Sequence, residues 1–417
     1  MTYNYVIIGG GITGIAVARL LQLAGVERLL VLEAATELGG LCRTREINGH
    51  VLDIGGGHFL CSRYPEVYDF IFRHIARSEF NYFERVSRVM LEGQEVDYPV
   101  EANLWQLPRR KCREYLVSIA RNGEARGMPP PANFEDWVRW KFGDRIAEQC
   151  MLPYNRKIWG VPVREMDVNW LHKIPRLPVR EVIAACIARS AGRSHLPSHA
   201  GFYYPKRGGY QRVFDALADP VRGLVQARTP VSVIERVGDT LVLDGRIRAR
   251  TVINTAPWNT LLESPLLRGA ARDAVARLRH NEIVVSLHEN VCQTNAHWLY
   301  EPDENLAHHR TFFVPNFAPH SVANGFFRET NRQRWTSGRG EMFAEHNAYA
   351  YPIPTLGRAA AIRTVLEEAV QHQVYGLGRW GQWQYVNSDV CIREAMDLVD
   401  RLGHRSWRNA LAGAVAT

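Results

Sequence analysis

A glycine-rich turn near the N-terminus constrains the fold of this chain more than any other feature. Four mostly apolar residues at 5–8 predict a buried strand, and the apolar segment 15–23 predicts a crossover helix. Between them, Gly9 permits a tight turn, Gly11 lets backbone approach a pyrophosphate, and Gly14 lets helix and strand pack closely. This spacing predicts a dinucleotide site whose phosphates meet free N–H groups at a helix N-terminus.

The residues that follow agree with this interpretation. Leu29–Leu32 is a second apolar run, and Glu33 stands at its end. A carboxylate at this position can accept hydrogen bonds from both ribose hydroxyls of an adenosine. A strand, a helix, a second strand and an acid in register therefore favour dinucleotide binding over a Gly-rich turn of no function.

Composition limits the class of protein. The 417 residues exceed one ordinary core, so we expect two or three packed units. No apolar run approaches the length of a membrane span, and the first residues lead into a strand, so we expect a cytoplasmic protein without a signal peptide. The seven cysteines are scattered without C-x-x-C spacing, which predicts reduced thiols and no metal site.

The net charge of +8 favours an anionic partner. Basic residues are dispersed along the chain, however, and we interpret the densest cluster, Arg109–Lys111 with Arg113, as a solvated face. A polyanionic small molecule explains the charge at least as well as nucleic acid does. No nucleic-acid partner is therefore expected.

Further glycine pairs favour FAD over NAD as the dinucleotide. They are Gly39–Gly40, Gly56–Gly57 and Gly208–Gly209, with a single glycine at Gly381. Each one alone is about as consistent with an ordinary tight turn. Together with the opening fingerprint they favour FAD, because a flavin and its ribityl chain need close approach of the backbone.

The order of predicted elements indicates an α/β protein in three parts. Residues 65–200 are expected to form a mainly helical insertion domain, apart from a hairpin predicted at 85–100. Residues 276–369 contain β-rich runs, which predict an antiparallel-sheet substrate domain. The Rossmann-like FAD-binding domain is then discontinuous and comprises residues 1–64, 201–275 and 370–417. Its final helix, Val390–Leu402, follows a capping cluster at 387–389 and is expected to face the same pyrophosphate as the first helix.

Ordered sequence blocks extend over nearly the whole chain. They are Gly56-Gly57-His58, Val96-x-Tyr98-Pro99, Phe134-Glu135-Asp136-Trp137, Pro153-Tyr154-Asn155-x-Lys157-Ile158-Trp159, Pro205-x-Arg207-Gly208-Gly209, Trp298-Leu299-Tyr300 with Arg310, Tyr351-Pro352-x-Pro354-Thr355, and Arg379-x-Gly381-x-Trp383-x-Tyr385. Several blocks are generic to flavin oxidases of the glutathione-reductase-like and amine-oxidase group. The blocks around Asn155, Tyr300 and Arg379 are more specific. With them the chain resembles the UDP-galactopyranose mutases, and their eukaryotic-type branch more than the common bacterial one.

This resemblance implies a chemistry without net redox. Members of the family interconvert pyranose and furanose forms of a nucleotide sugar, in carbohydrate biosynthesis. Reduced flavin N5 attacks the anomeric carbon and displaces the nucleoside diphosphate, and the sugar recloses through a different hydroxyl before the diphosphate returns. The protein must hold the leaving group and exclude water. The implied partners are a nucleoside-diphosphate sugar and a reductant, either NAD(P)H or a reductase.

The resemblance and the glycine pattern together assign roles to residues. His58 beside the flavin and Arg310 on the diphosphate are the expected catalytic residues, since a guanidinium fork suits phosphate geometry. The expected substrate-binding residues are Tyr98, Glu101, Asn155, Trp298, Tyr300, Arg310, Tyr351 and Tyr385. The expected cofactor-binding residues are Gly9, Gly11, Gly14, Glu33, Gly39, Gly40, Arg43, Gly56, Gly57, Gly208, Gly209, Arg379, Asn387 and Ser388.

Structural roles compete with several of these assignments. We interpret Trp159 and Trp137 as core residues, and Trp298 could be one as well. His58 could instead satisfy a buried backbone group. His308–His309 lacks acid or cysteine partners at ligand spacing, which predicts a loop or phosphate-side position and not a metal site.

Two positions depart from the family pattern, and the first is Leu152. The mutases carry an arginine there that grips the diphosphate, so both charge and fork-shaped donors are lost. Arg156, one turn away, or Arg176 could substitute. The change could instead mean that the chemistry has moved to oxidation of another substrate.

The second departure is Glu101, where the mutases place a glutamine that contacts uracil. An ionised carboxylate only accepts hydrogen bonds, so it suits the N1–H and N2–H donors of guanine better than the mixed edge of uracil. Cys61, where the mutases have an aromatic residue, makes room nearby. We therefore hypothesise a nucleotide other than UDP, with GDP as the first candidate. The alternative is a Glu101 that simply faces solvent.

Two other functions compete with the mutase. A redox flavoenzyme of the amine-oxidase or protoporphyrinogen-oxidase type would share the Gly-rich blocks and would explain Leu152. A non-catalytic FAD-bearing scaffold has little in its favour. The discriminating set is Arg310, Tyr351 and Tyr385, which an oxidase of hydrophobic substrates has no need to retain.

Overall fold

The computed structural model describes residues 1–171, 177–190, 200–290, 293–322 and 324–413. The strands are β1 Thr2–Ile8, β2 Leu29–Leu32, β3 Thr44–Ile47, β4 His50–Asp53, β5 Phe80–Glu84, β6 Ser87–Leu91, β7 Gln94–Asp97, β8 Gly201–Pro205, β9 Val225–Gln226, β10 Ile234–Val237, β11 Thr240–Leu243, β12 Ile247–Asn254, β13 His280–Glu289, β14 Trp298–Tyr300, β15 Arg310–Phe312, β16 Gly325–Asn331, β17 Glu341–Pro352 and β18 Val374–Gly376. The helices are α1 Ile12–Leu23, α2 Pro65–Phe72, α3 Arg109–Ala120, α4 Phe134–Ile146, α5 Leu152–Trp159, α6 Val179–Ala188, α7 Gln211–Ala218, α8 Gly269–Arg277, α9 Arg358–Gln371, α10 Gly378–Gly381, α11 Ser388–Arg401 and α12 Trp407–Gly413. Within these ranges, no helix combines the length and the apolar character needed to cross a bilayer.

The first sheet is built around β1. Its strand order is β10-β11-β12-β1-β2-β9, with β18 also paired to β12. The pairs that involve β1, β2, β9 and β18 are parallel, whereas β10, β11 and β12 form an antiparallel meander. Alternate residues of β1 face opposite sides, so Ile7 packs with α1 and α11 while Val6 and Ile8 pack with α8 and α9. The predicted α/β class is confirmed, with helices on both faces of a mainly parallel sheet.

The second sheet has the strand order β17-β13-β16-β15-β14-β6-β7. Its pairs are antiparallel except for the parallel pair of β14 and β6, which confirms the antiparallel sheet predicted within residues 276–369. The predicted hairpin at 85–100 is β6 with β7. It pairs with β14 through its free backbone edge, while Val89, Leu91 and Val96 pack on the helices. The hairpin thus links the second sheet to the helical part.

The helices α3 to α6 enclose a separate core that contains Tyr115, Phe134 and Trp137. Asn133 caps α4, because its Oδ1 accepts the backbone N–H of Asp136 at 3.0 Å. The helix α2 also falls within 65–200, but its apolar face packs against the first sheet's helices α1 and α11. The boundaries proposed for the three domains remain predictions.

Candidate functional site

The glycine turn before α1 has the geometry that its spacing predicts. Gly9 has a φ of +103°, which L-residues with side chains rarely adopt, and a Cβ on Gly14 would lie 2.0 Å from the carbonyl oxygen of Gly9. A Cβ on Gly11, at the N-cap of α1, would meet no atom within 4 Å. The turn is therefore tightly packed on one side and leaves an open cradle at the helix N-terminus, where a phosphate fits.

Glu33 and the loop after β2 border this cradle. One carboxylate oxygen of Glu33 accepts the N–H of Gly10 at 2.6 Å. The N–H of Gly39 donates to the carbonyl of Gly10 at 3.0 Å, and a Cβ on Gly40 would lie 3.7 Å from the Cα of Gly11. The contacts hold Glu33 at the end of β2, with lone pairs left for hydroxyl groups of a ligand.

The C-terminal helices reach the same place. A Cβ on Gly378, at the start of α10, would lie 2.3 Å from Oγ1 of Thr13 in α1. The thiol of Cys391 in α11 also hydrogen-bonds with Thr13, and Asn387 occupies the N-cap position of α11. The first turns of α1 and α11 are therefore neighbours, and their joint contact with one pyrophosphate remains a prediction.

The remaining predicted cofactor residues lie around this region. Arg379 donates to the carbonyls of Val386 (2.9 and 3.1 Å) and Ala350 (3.0 Å), and Ser388 shares a 2.6 Å hydrogen bond with Tyr210. Arg43 Nε donates to the carbonyl of Gly40 at 3.0 Å. A Cβ on Gly209 would lie 2.3 Å from Thr44, and one on Gly56 would lie 2.1 Å from Glu329. These two glycines are thus needed for packing, and their contact with a cofactor, like that of Gly208, remains a prediction.

A cavity of about 270 Å³ opens between the segment 379–388, the second sheet and the helices α4 and α5. Of the residues predicted from sequence, it is lined by Gly57, His58, Tyr98, Glu101, Asn155, Trp298, Tyr300, Arg310, Tyr351, Arg379, Tyr385, Asn387 and Ser388. Every predicted catalytic and substrate-binding residue therefore lies on one cavity. The glycines of the N-terminal turn, Glu33, Gly39, Gly40 and Arg43 lie outside its lining, at the cradle.

An ion pair joins Arg310, which lines the cavity, to the fully buried carboxylate of Glu329. Arg310 in β15 and Glu329 in β16 are cross-strand partners, and their closest N–O distance is 2.5 Å. Burial favours the neutral acid, but Arg310 holds the pKa of Glu329 at about 2. Glu329 also accepts the N–H of Gly57 at 3.1 Å. The pair fixes both the guanidinium and the loop that carries His58.

The hydroxyl of Tyr300 is oriented towards a ligand by its neighbours. It lies 3.1 Å from Nε1 of Trp298 and 3.0 Å from Nη2 of Arg85, and both of these groups can only donate. The hydroxyl oxygen therefore accepts both bonds, and its own hydrogen is left to donate elsewhere. An acceptor-rich group such as a phosphate satisfies it.

Three further phenols share this region. Burial raises the pKa of Tyr154, Tyr351 and Tyr385, so each hydroxyl keeps its proton and can donate. The rings of Tyr351 and Tyr385 lie 5.0 Å apart, and that of Tyr154 lies 5.4 Å from Tyr300. The centre of the cavity is thus rich in hydrogen-bond donors.

His58 is held as a neutral imidazole. Its Nδ1 lies 2.9 Å from the carbonyl oxygen of Gly56, so this nitrogen carries the proton and Nε2 keeps a lone pair. Burial lowers the pKa of His58 to about 4. His58 thus satisfies a buried backbone carbonyl, which was the alternative role considered for it. The same bond leaves Nε2 as the hydrogen-bond acceptor of a side chain that lines the cavity.

One part of the cavity lining is apolar apart from one carboxyl group. Val100, Phe142, Ile146 and Cys150 line it together with Glu101, which is only 7% exposed. Oε1 of Glu101 has no hydrogen-bond partner in the described structure, and burial raises the pKa of the carboxyl group to about 7. The alternative of a solvent-facing Glu101 is therefore wrong.

The sequence missed two polar residues that line the cavity, Arg85 and Tyr154, and it missed Glu329, which pairs with the lining residue Arg310. Tyr154 stands beside Asn155 in a block already singled out, so that block could have revealed it. Arg85 and Glu329 carry no motif of their own. Their roles depend on the pairing of β14 with β6 and of β15 with β16.

Several expectations need correction. Arg156 does not replace the arginine missing at 152, because it is exposed, outside the cavity lining, and paired with Glu304 at 3.3 Å. Leu152 itself is fully buried in the helical core and does not line the cavity. Arg176 lies outside the described residues. Asn155 lines the cavity, but its amide donates to the carbonyl of Met151 and accepts from Trp159, so its main bonds are within its own helix.

The structure agrees with some interpretations of the remaining aromatic and histidine residues and adds contacts to others. Trp137 and Trp159 are buried core residues as predicted, although Trp159 also lines the cavity, and buried Trp298 does the same. His309 lies 3.3 Å from Glu329, and His308 lies 4.0 Å from Glu301. The folding of the second sheet thus supplies the carboxylates that the local sequence lacks. No cluster of metal-ligating groups occurs in the described parts of the chain.

The N-terminal region matches one family model. Residues 7–73 match the family described as an NAD(P)-binding Rossmann-like domain. The chain is 41% identical over 304 residues to coproporphyrinogen III oxidase of Mycobacterium tuberculosis (66% of this chain, 64% of that protein). It is 24% identical over 275 residues to (S)-6-hydroxynicotine oxidase of Paenarthrobacter nicotinovorans (62% and 61%) and 22% identical over 233 residues to UDP-galactopyranose mutase of Mycoplasma pneumoniae (52% and 52%). The chain thus matches between about half and two thirds of the length of these relatives.

Solved structures share the fold over nearly the whole chain. A reduced UDP-galactopyranose mutase superposes with a TM-score of 0.85 at 22% identity and covers 99% of this chain and 97% of its own. A putative protoporphyrinogen oxidase from Exiguobacterium superposes with a TM-score of 0.73 at 17% identity (96% and 99%). The fold is therefore that of a Rossmann-like dinucleotide-binding protein with an added sheet and helical region, and both mutases and oxidases share it.

Proposed function

We propose that this protein is an FAD-dependent nucleotide-sugar mutase that interconverts pyranose and furanose forms. One observation carries the proposal: the donor-rich centre of the cavity, where the Tyr300 hydroxyl has a hydrogen left to donate beside the guanidinium of Arg310. Such a centre binds an anion with many acceptor oxygens, and a diphosphate is one. An oxidase of a hydrophobic substrate has no use for it.

FAD fits the cradle described above. The open space at Gly11, the N-termini of α1 and α11 and the carboxylate of Glu33 would hold its phosphates and ribose, and the loop at Gly57–His58 with Arg379 would border its ring. Bound as reduced FAD, the cofactor supplies the nucleophile for the anomeric carbon. We propose that NAD(P)H or a reductase supplies the electrons that reduce the flavin.

The chain's own residues prepare the leaving group and the surroundings of the sugar. Arg310 and Tyr300 bind the diphosphate, and the protonated phenols of Tyr351 and Tyr385 donate to its oxygens. Neutral His58 adds no positive charge beside the sugar. Aromatic walls, among them Trp298, exclude water from the reacting carbon.

The decisive experiment incubates dithionite-reduced holoenzyme with UDP- and GDP-hexopyranoses and follows the furanose product by chromatography. Cyanoborohydride trapping then adds the mass of one sugar to the extracted flavin. We expect both signals only with reduced protein, and an approximately 10-fold loss in Tyr300→Phe from one missing hydrogen bond to a charged group. Tyr82→Phe, on an exposed tyrosine outside the cavity, serves as the matched control.

A redox function is the second candidate, and the relatives named as oxidases favour it. In the same experiment it predicts no furanose and no sugar on the flavin. Rapid flavin reduction by a porphyrinogen or an amine would then replace the mutase proposal.

The buried carboxyl group of Glu101 supports a guanine nucleotide in place of UDP. Its unpartnered oxygen lies on the same cavity as the proposed diphosphate-binding residues, beside apolar lining residues. As a carboxylate it pairs with the adjacent N1–H and N2–H donors of guanine. Titration of the holoenzyme with GDP and UDP tests this, and equal or tighter binding of UDP at alkaline pH would contradict it.

A further inference from the structure

Arg85 lies in the cavity wall at the link between β5 and β6. Its Nε donates to Oγ of Ser87 at 3.0 Å and its Nη2 to the hydroxyl of Tyr300 at 3.0 Å. The guanidinium carbon lies 4.9 Å from the ring centroid of Tyr98 and 4.8 Å from that of Trp298. Two rings and two hydroxyls thus fix the guanidinium, while three of its five N–H donors have no hydrogen-bond partner among the described residues.

Arg85 differs from the other arginines of this cavity in the partners of its charged group. Arg310 is paired with buried Glu329, and Arg379 donates to backbone carbonyls. Among the described residues, no carboxylate lies within ion-pair distance of Arg85. A fixed cation without an acid partner in a cavity wall favours an anionic ligand.

Tyr300 connects the two guanidiniums. Arg310 is its cross-strand neighbour, with the guanidinium carbon 6.0 Å from the ring centroid, and Arg85 donates to its hydroxyl. One guanidinium therefore donates to the hydroxyl of Tyr300, and the other lies over its ring. Two adjacent phosphates offer acceptor oxygens over such a span.

We propose that Arg85 is a second phosphate-binding residue, which holds one phosphate of the nucleoside diphosphate while Arg310 holds the other. The identity of the ligand rests on the proposed function, but the anion site rests on the contacts of Arg85 alone. Arg85 also provides the cation that position 152 does not, since Leu152 is buried in the helical core.

The test measures calorimetric affinities of oxidised holoenzyme for GDP, UDP, guanosine, uridine and inorganic pyrophosphate. We expect Arg85→Gln to weaken the binding of the diphosphates about 10- to 100-fold and the binding of the nucleosides less than about twofold. The reason is that only the phosphates lose charged hydrogen bonds. Arg85→Lys should lie between, since it keeps the charge without the fork. Arg156→Gln is the matched control, because its side chain is exposed and outside the cavity. Flavin content and thermal unfolding verify that each variant is folded.

The outcomes separate the two proposals. Equal losses for diphosphates and nucleosides would overturn the role of Arg85 and leave it a packing residue between Tyr98 and Trp298. Unchanged diphosphate affinity would overturn it as well. If the wild-type protein binds neither GDP nor UDP, the proposed function fails and the anion site is tested with pyrophosphate alone. Pyrophosphate binding that Arg85→Gln weakens would support the anion site. No binding of pyrophosphate would overturn it.

Discussion

At the scale of single residues, Glu101 is the group whose chemistry most depends on its surroundings. Its pKa is raised to about 7 by burial, against the opposing effects of its own backbone N–H and of Lys141. Lys141 is itself bound to Glu124 at 2.7 Å, and Tyr98 and Cys150 are the other titratable neighbours. The carboxyl group is therefore mostly protonated below about pH 7 and mostly ionised above it.

This titration predicts opposite pH dependences for two nucleotides. A carboxylate accepts from N1–H and N2–H of guanine, so affinity for GDP should rise as pH increases through about 7. A protonated carboxyl group can donate to a uracil carbonyl and accept from N3–H, so affinity for UDP should fall over the same range. Titrations between about pH 6 and about pH 8 measure both, with ADP as a control for ionisation of the diphosphate.

The variant Glu101→Gln removes the titration and keeps the shape. Affinity for UDP should become independent of pH through this range, and affinity for GDP should fall about 10-fold or more at alkaline pH, because one charged acceptor is lost. The same pH dependence in Glu101→Gln and wild type would assign it to another group.

At the scale of elements, the turn into α1 combines two different demands on glycine. Gly14 is needed for packing, since a Cβ there meets the backbone of Gly9 at 2.0 Å. Gly11 is not needed for packing, since its Cβ would enter open space at the helix N-terminus. Gly14 is therefore required by the fold, whereas Gly11 leaves space for a ligand.

Alanine at these two positions should therefore have different effects. Gly14→Ala should destabilise the protein by about 1–3 kcal/mol or more, from overpacking against backbone. Gly11→Ala should leave the unfolding midpoint of the apoprotein unchanged and lower the bound flavin, because the Cβ occupies the phosphate cradle. Denaturation curves and flavin absorbance per chain measure the two effects, and Gly223→Ala, also in open space, is the control. Full flavin content in Gly11→Ala would contradict the assignment of the cradle.

At the scale of the whole molecule, the cavity depends on how the helical region sits against the second sheet. Lys157 in α5 is fully buried and donates to the carbonyls of Glu301 at 2.8 Å and Asp303 at 2.6 Å, directly after β14. The bonds join the wall that carries Tyr154 to the wall that carries Tyr300. Lys157 is thus a positioning residue, although its side chain does not line the cavity.

Loss of this link should cost stability and distort the site. Lys157→Met leaves two carbonyls unpaired, so we expect a loss of about 1–3 kcal/mol in the free energy of unfolding and weaker diphosphate binding. Arg156→Met, one residue away with an exposed ion pair, should change the free energy by less than about 1 kcal/mol. Urea denaturation compares the free energy of unfolding of the two variants, and nucleotide titration compares their diphosphate affinity. Similar effects of both substitutions would show that the link does not position the walls.

Local sequence was sufficient for some of these features and insufficient for others. The strand, turn and first helix were predictable because their glycine spacing acts within one βαβ unit. Arg85 and Glu329 were not, because each acquires its partner only when β6 meets β14 or β16 meets β15. The side chain of Leu152 was expected at the site and lies in the helical core, because its position on α5 turns it away from the cavity.

The sequence by itself therefore determined the α/β class, the dinucleotide turn and the residue types around the cavity, because short-range periodicity and backbone sterics specify them. Tertiary structure alone decided which charges are neutralised. It pairs Arg310 with Glu329, leaves Arg85 without an acid partner among the described residues, and buries Glu101 beside apolar side chains. The physical reason is that ion pairing and burial depend on distances across strands and domains, which the order of residues along the chain does not contain.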